Sequence, residues 1–183
     1  MRAKITIYVA AIIVLLLPLT APAQDEFETL GSNDGYLVVG IDISGMSYDY
    51  LAIDKRGSIG FSHKFKSETM SRGMNYRIIK LPAGTYYWRR LMGNFRYRLI
   101  LDREIFEMKV EPGKINYGGD IFINWRWGSS DIRMANRATS AVEYLSECCQ
   151  HLLGDLPLVY ARGGGDPFLD YLATLPNYGI TEP

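Results

Sequence analysis

Histidine and cysteine, the residues that most often build metal centres and nucleophilic sites, are nearly missing: the 183-residue chain holds two of each. The cysteines are neighbours, Cys148 and Cys149, and the histidines, His63 and His151, are far apart in the chain. A structural zinc site needs about four ligands, and no such set is in reach. Cys148 and His151 are three residues apart, but no further ligands accompany them. A bridge between adjacent cysteines closes no useful loop and would strain a helical backbone. Free, buried or half-buried thiols are therefore expected, with the fold held by packing. Neither G-x-S-x-G nor H-E-x-x-H occurs, so a hydrolase lacks a recognisable nucleophile or metal. No cofactor is implied. Internal repeats and low-complexity tracts are absent, and so is an excess of charge, with 20 basic against 20 acidic residues.

What is present begins at the N-terminus. "MRAKITIYVAAIIVLLLPLTAPAQ" has a basic start at Arg2 and Lys4, an uncharged apolar run from Ile5 to Leu19, and small residues at Ala21 and Ala23. That is the order of a secretory signal peptide. The run is shorter than the ~20 residues that span a bilayer core, and Pro18 breaks its end. Cleavage between Ala23 and Gln24 is expected, leaving no stable membrane insertion. Arg2 and Lys4 leave with the leader, so the mature chain carries 18 basic residues against 20 acidic ones. A slightly acidic exported chain has no general attraction for nucleic acid.

Residues 24–35 form a polar leader, and from Tyr36 the hydrophobic period becomes two. Leu37, Val39, Ile41 and Ile43 share one parity, as do Ile59, Phe61, His63 and Phe65, with Lys64 and Lys66 on the other. Tyr76 and Ile78, Tyr86 and Trp88, and Tyr97, Leu99 and Leu101 continue the alternation. Turn signals at "KRGS", "LPAG", "MGN" and "EPGK" separate these runs at the spacing of a sandwich or barrel. In "FEMKVEPGKINYGGDIFI", Phe106, Met108 and Val110 oppose Glu107, Lys109 and Glu111. Pro112-Gly113 then supplies a type II turn, and together these predict a hairpin. On its return strand Ile115, Tyr117, Ile121, Ile123, Trp125 and Trp127 share one parity. Asn116, Asp120, Asn124 and Arg126 take the other, and Gly118-Gly119 marks a bulge or a close backbone approach.

After Gly128 the period changes. Ala135, Ala138, Val142, Leu145, Cys149 and Leu152 recur at spacings of three and four, predicting a helix from about Ser130 or Asp131 to Gly154. A shorter helix is expected where Asp166 can cap and Pro167 can open the first turn ahead of Phe168 and Leu169. The glycine run in "RGGGDP" is read as a connector, because no strand clearly precedes it and Asp166 competes for the donors an anion would use. The expected fold is mainly β: an antiparallel β-sandwich of Ig-like or transthyretin-like type over residues 36–128, with a helical extension over 129–183.

The order "YLVVGIDISG", "IIKLPAGTYYW" and "FEMKVEPGKINYGGDI" resembles a family of bacterial exported domains of unknown function. These have a transthyretin-like or carboxypeptidase-regulatory-like sandwich. The resemblance covers about residues 36–125 and rests on turn and core residues. It implies an envelope or extracellular location and assigns no catalytic residue.

Among candidate sites, "TYYWRRLMGNFRYR" stands out. Arg89, Arg90, Arg96 and Arg98 flank a turn at Gly93-Asn94 and alternate with aromatic residues that include Trp88, a combination suited to phosphate, carboxylate or sugar-ring contacts. The competing expectation is a solvated face whose arginines pair with cross-strand acids. His63 falls on an apolar parity and reads as a buried or edge histidine rather than a general base. The expected role is a non-enzymatic binding or structural accessory whose partner is an envelope protein or glycan. The alternative is a carbohydrate-acting hydrolase whose carboxylates, Asp42, Asp54 and Asp120, converge only in three dimensions.

Overall fold

The computed structural model describes residues 27–45, 48–93, 98–126 and 129–175. The signal sequence with its Ala23–Gln24 junction, Arg96 and Trp127 lie outside the described residues. Among the described residues, ten strands form two sheets. The first sheet contains β1 (Asp34–Gly45), β4 (Gly73–Pro82), β8 (Ile115–Arg126), β9 (Ser129–Ala135) and β10 (Leu158–Tyr160). The second contains β2 (Tyr50–Lys55), β3 (Ser62–Lys66), β5 (Gly84–Met92), β6 (Arg98–Ile100) and β7 (Glu107–Val110). The described residues also form three short α-helices: α1 (Ala138–Cys148) and α2 (Gln150–Asp155) between β9 and β10, and α3 (Pro167–Leu172) after β10. The mainly β, two-sheet expectation holds, with a finer difference: β8 runs parallel to β1 and to β10, so the first sheet is mixed.

The alternation of β1 explains its central position. Leu37, Val39, Ile41 and Ile43 face the second sheet and meet Leu51, Ile53, Phe65, Trp88 and Leu91 in the inter-sheet core. Tyr36 and Val38 face the other way, into a second core closed by Ala138, Ala141, Leu145, Leu152 and Leu169. A strand buried on both faces carries a near-continuous apolar run, and "YLVV" has that character. Asp166 caps α3 by accepting from Phe168 N at 2.8 Å and Leu169 N at 3.2 Å, with Pro167 in the first turn, as expected.

Several sequence expectations are corrected. Residues 106–126 are not a hairpin: β7 pairs with β5 in the second sheet, whereas β8 lies beside β1 in the first. Gly113 does take positive φ, 65°, but the turn crosses between sheets. Its lock is Asn116, fully buried. The Asn116 amide donates to the carbonyls of Tyr36 (3.1 Å), Glu111 (3.0 Å) and Lys114 (3.1 Å), and its Oδ1 accepts from Glu111 N at 2.9 Å. These bonds satisfy backbone groups that a hairpin ladder would otherwise engage.

The Gly118-Gly119 bulge is present. Val38 pairs with Tyr117 and Gly40 with Asp120, so β8 carries an extra residue there, and Gly119 has φ 87°. Its effect on parity was not anticipated. Ile115 and Tyr117 face the helices while Ile121 and Ile123 face the second sheet, and Asp120 comes to the same face as Tyr117. The helix expected from Ser130 or Asp131 begins only at Ala138, because residues 129–135 form the edge strand β9. A strand, β10, also precedes the glycine run 163–165. Finally, Cys148 and Cys149 are not free thiols but are bridged to each other.

Candidate ligand-binding face

The outer side of the second sheet gathers several basic residues. β2 lies between β3 and β5, so Ala52 stands between Lys64 and Arg90, and Tyr50 between Lys66 and Met92. A register shift between Ala52 and Ile53 leaves Arg89 as an extra residue on β5. Trp88 and Leu91 turn into the core while Arg89 and Arg90 both reach the surface. Lys64 Nζ lies 4.8 Å from the Tyr50 ring centroid and the Arg90 guanidinium carbon 5.9 Å from it. Both cations thus use the electron-rich face of one ring. Arg98, exposed on β6, is registered opposite Met92, and Ile100 opposite Arg90.

Of the arginines read from the sequence, Arg89, Arg90 and Arg98 are placed on this face. Arg89 is also the one that fits the competing expectation, since it forms an ion pair with cross-strand Asp54, which is 6% exposed. Trp88 is fully buried against Phe65, with centroids 5.3 Å apart, so its indole supports the face from below and does not line it. Tyr50, Lys64 and Lys66 complete the patch. The outward parity of the lysines was visible in the sequence, but their adjacency to Arg90 depends on the long-range pairing of β2 with both neighbours. Lys66 also contacts exposed Glu68 at 3.2 Å, a surface pair of small energetic weight.

The three carboxylates of the hydrolase alternative are not gathered at one site: Asp42 on β1 lies near Asp120 on the neighbouring β8, but Asp54 stands apart. Asp54 belongs to the second sheet, and Asp120 is fully buried on the helix side of the first. The Asp120 carboxylate accepts from Tyr117 (2.7 Å, Oδ1) and Tyr76 (3.2 Å, Oδ2), with Arg137 Nη1 3.9 Å from Oδ2. Burial raises its pKa, against the opposing effects of both tyrosine bonds and Arg137, while nearby Asp42 adds to the rise. Burial likewise raises both tyrosines, and the Asp120 charge raises them further. The Tyr117 hydroxyl also accepts from Arg137 N at 3.0 Å, and Tyr76 stacks on Tyr144 of α1 at 4.8 Å. With both oxygens engaged and no exposure, Asp120 ties β4, β8 and the start of α1 together.

A cleft of about 810 Å³ opens where β7, the end of β9 and β10 meet, with Met108, Met134 and Val159 among its apolar walls. Its rim charges are largely paired: Glu107 with Arg56 at 2.9 Å, and Lys109 with Glu111 at 3.1 Å. His63 lies on edge strand β3 with its ring 4.8 Å from Phe65, and burial lowers its pKa. Among the described residues no group of three or more His, Cys, Asp or Glu is placed to hold a metal ion, and no helix is long and apolar enough to cross a membrane. No protein-family model matches the chain, and no curated protein matches it.

Proposed function

We propose that this chain is an exported, non-enzymatic β-sandwich protein of transthyretin-like kind, acting as a binding or structural accessory of the bacterial cell envelope. It engages an acidic partner, glycan or protein, through the outer face of the second sheet. The supporting observation is the placement of Lys64 and Arg90 over one tyrosine ring, flanked by Lys66 and Arg98. Export is supported by the charge and apolar order of residues 1–24, and a disulfide accords with an oxidising compartment. The hydrolase alternative is disfavoured by the separation of Asp54 from the Asp42–Asp120 pair and by the full burial of Asp120 with both of its oxygens hydrogen-bonded.

A photo-cross-linking residue at Ile100, exposed beside Arg90 on this face, tests the reading against the same residue at Ile59, exposed on the connection between β2 and β3. Expression in the native compartment should give a discrete adduct at position 100 and none at 59. Equal labelling at both would remove the face from consideration. Mass spectrometry of the mature chain should find Gln24 as its first residue, and an intact leader would contradict export with cleavage.

A further inference from the structure

Beyond the binding role, the junction of α1 and α2 carries a chemical device. The apolar spacing Ala138, Ala141, Leu145, Cys149, Leu152 runs through the junction without interruption, and all five side chains are buried in the second core. The local sequence "SECCQH" contains no proline or glycine to stop a helix. Yet the backbone leaves helical geometry at one residue, Cys149, with φ −150° and ψ 42°, and α2 starts at the next. Cys149 N still reaches Leu145 O at 2.9 Å, whereas Leu152 N bonds Cys149 O at 2.9 Å, the shorter three-residue spacing.

The bridge supplies the cause. Successive side chains on an α-helix point about 100° apart, so residues i and i+1 do not face each other. A Cys148–Cys149 disulfide and a continuous helix through 148–149 therefore exclude one another. Cys148 is exposed while Cys149 is 2% exposed, so one sulfur is open to attack and the other is released into an apolar site that suits a thiol.

We infer that Cys148–Cys149 is a reversible redox site that breaks or joins the helix over residues 138–155. A dithiol reductant attacks Cys148, the Cys148–Cys149 S–S bond breaks, and a mixed disulfide forms. The second reductant thiol then displaces Cys148, leaving two cysteine thiols and an oxidised, cyclic reductant. Two electrons and two protons pass from reductant to protein. Once released, Cys149 takes helical φ and ψ, and α1 and α2 fuse. Only Leu156 and Pro157 separate α2 from β10, whose Val159 and Tyr160 line the cleft, so the fusion re-aims one wall of that cleft.

The test uses the purified mature protein with dithiothreitol as the reductant. Without it, an alkylating reagent applied under denaturing conditions should label neither cysteine, and with it both. On reduction the Cys149 Cα chemical shift should move to helical values, and amides 150–153 should exchange roughly tenfold more slowly or beyond, with reversal on reoxidation. The variant Cys148→Ser plus Cys149→Ala should give the reduced pattern in either condition. Two alkylatable thiols in the protein before reduction, or a non-helical Cys149 after it, would overturn the inference; the wild-type comparison stands even where the double variant folds poorly.

Discussion

The Tyr117 hydroxyl donates to Asp120 Oδ1 at 2.7 Å across the Gly118-Gly119 bulge. In an unbroken strand these residues, three apart, would face opposite sides. The extra residue in β8 turns them to the same side, so a glycine pair in the sequence becomes a buried polar cluster in the structure.

That cluster has a pH signature. Burial raises the Asp120 pKa above its ordinary value, so the folded chain binds this proton more tightly than the unfolded one. Its contribution is present below the ordinary carboxylate range and is lost as pH rises through the folded pKa. Asp120→Asn, which keeps an acceptor for Tyr117, should gain stability relative to wild type between pH 4 and pH 7 in denaturant titrations. A variant that loses ground over that range would contradict the assignment. Asp120→Leu, which leaves the buried Tyr117 hydroxyl and the half-buried Tyr76 hydroxyl without their acceptor, should cost about 2–4 kcal/mol at pH 4 and less at pH 7.

Gly40 makes room for the carboxylate. A Cβ there would lie 2.2 Å from Asp120 Oδ1, so Gly40→Ala should destabilise by about 1–3 kcal/mol through overpacking. In the double variant with Asp120→Ala the contacts with the carboxylate are gone, and the Met74 Sδ, 3.0 Å from that Cβ, is the end of a flexible side chain. A double-mutant cycle should then give a total clearly below the sum of the single costs, and strict additivity would show that the two sites do not communicate.

Asn116 holds the crossing between sheets. Replacing it with alanine removes a buried side chain that serves four backbone groups, and should cost about 2–4 kcal/mol. Thermal unfolding measures this directly; a loss under about 0.5 kcal/mol would mean water substitutes freely.

Much of this was legible in the residues. The parities of β1 and β7, the turn at Pro112-Gly113, the bulge at Gly118-Gly119 and the Asp166-Pro167 cap all follow from local chemistry. The sheet a strand joins does not, because side-chain parity is the same whether residues 106–110 pair with 115–126 or with β5. β9 passed for a helix start because its exposed edge gives it no buried period of its own, while Ala135 and Ala138 fit helical spacing by chance. The vicinal disulfide was hidden for a related reason, since the apolar period runs through Cys149 as if the helix were whole. The binding face was half visible: Arg89, Arg90 and Arg98 stand close in sequence, but Tyr50 and Lys64 reach Arg90 only through pairing across β2.

The binding role is tested most directly by removing the face's charge. Lys64→Ala, Arg90→Ala and Arg98→Ala together alter exposed or half-exposed side chains, and each such surface change should shift stability within about ±0.5 kcal/mol. Cross-linking in the native compartment should then show the wild-type adduct reduced at least roughly tenfold in the triple variant. The wild-type adduct itself should weaken as ionic strength rises, as expected for exposed charges. Undiminished capture by the triple variant, at unchanged folding, would contradict the account.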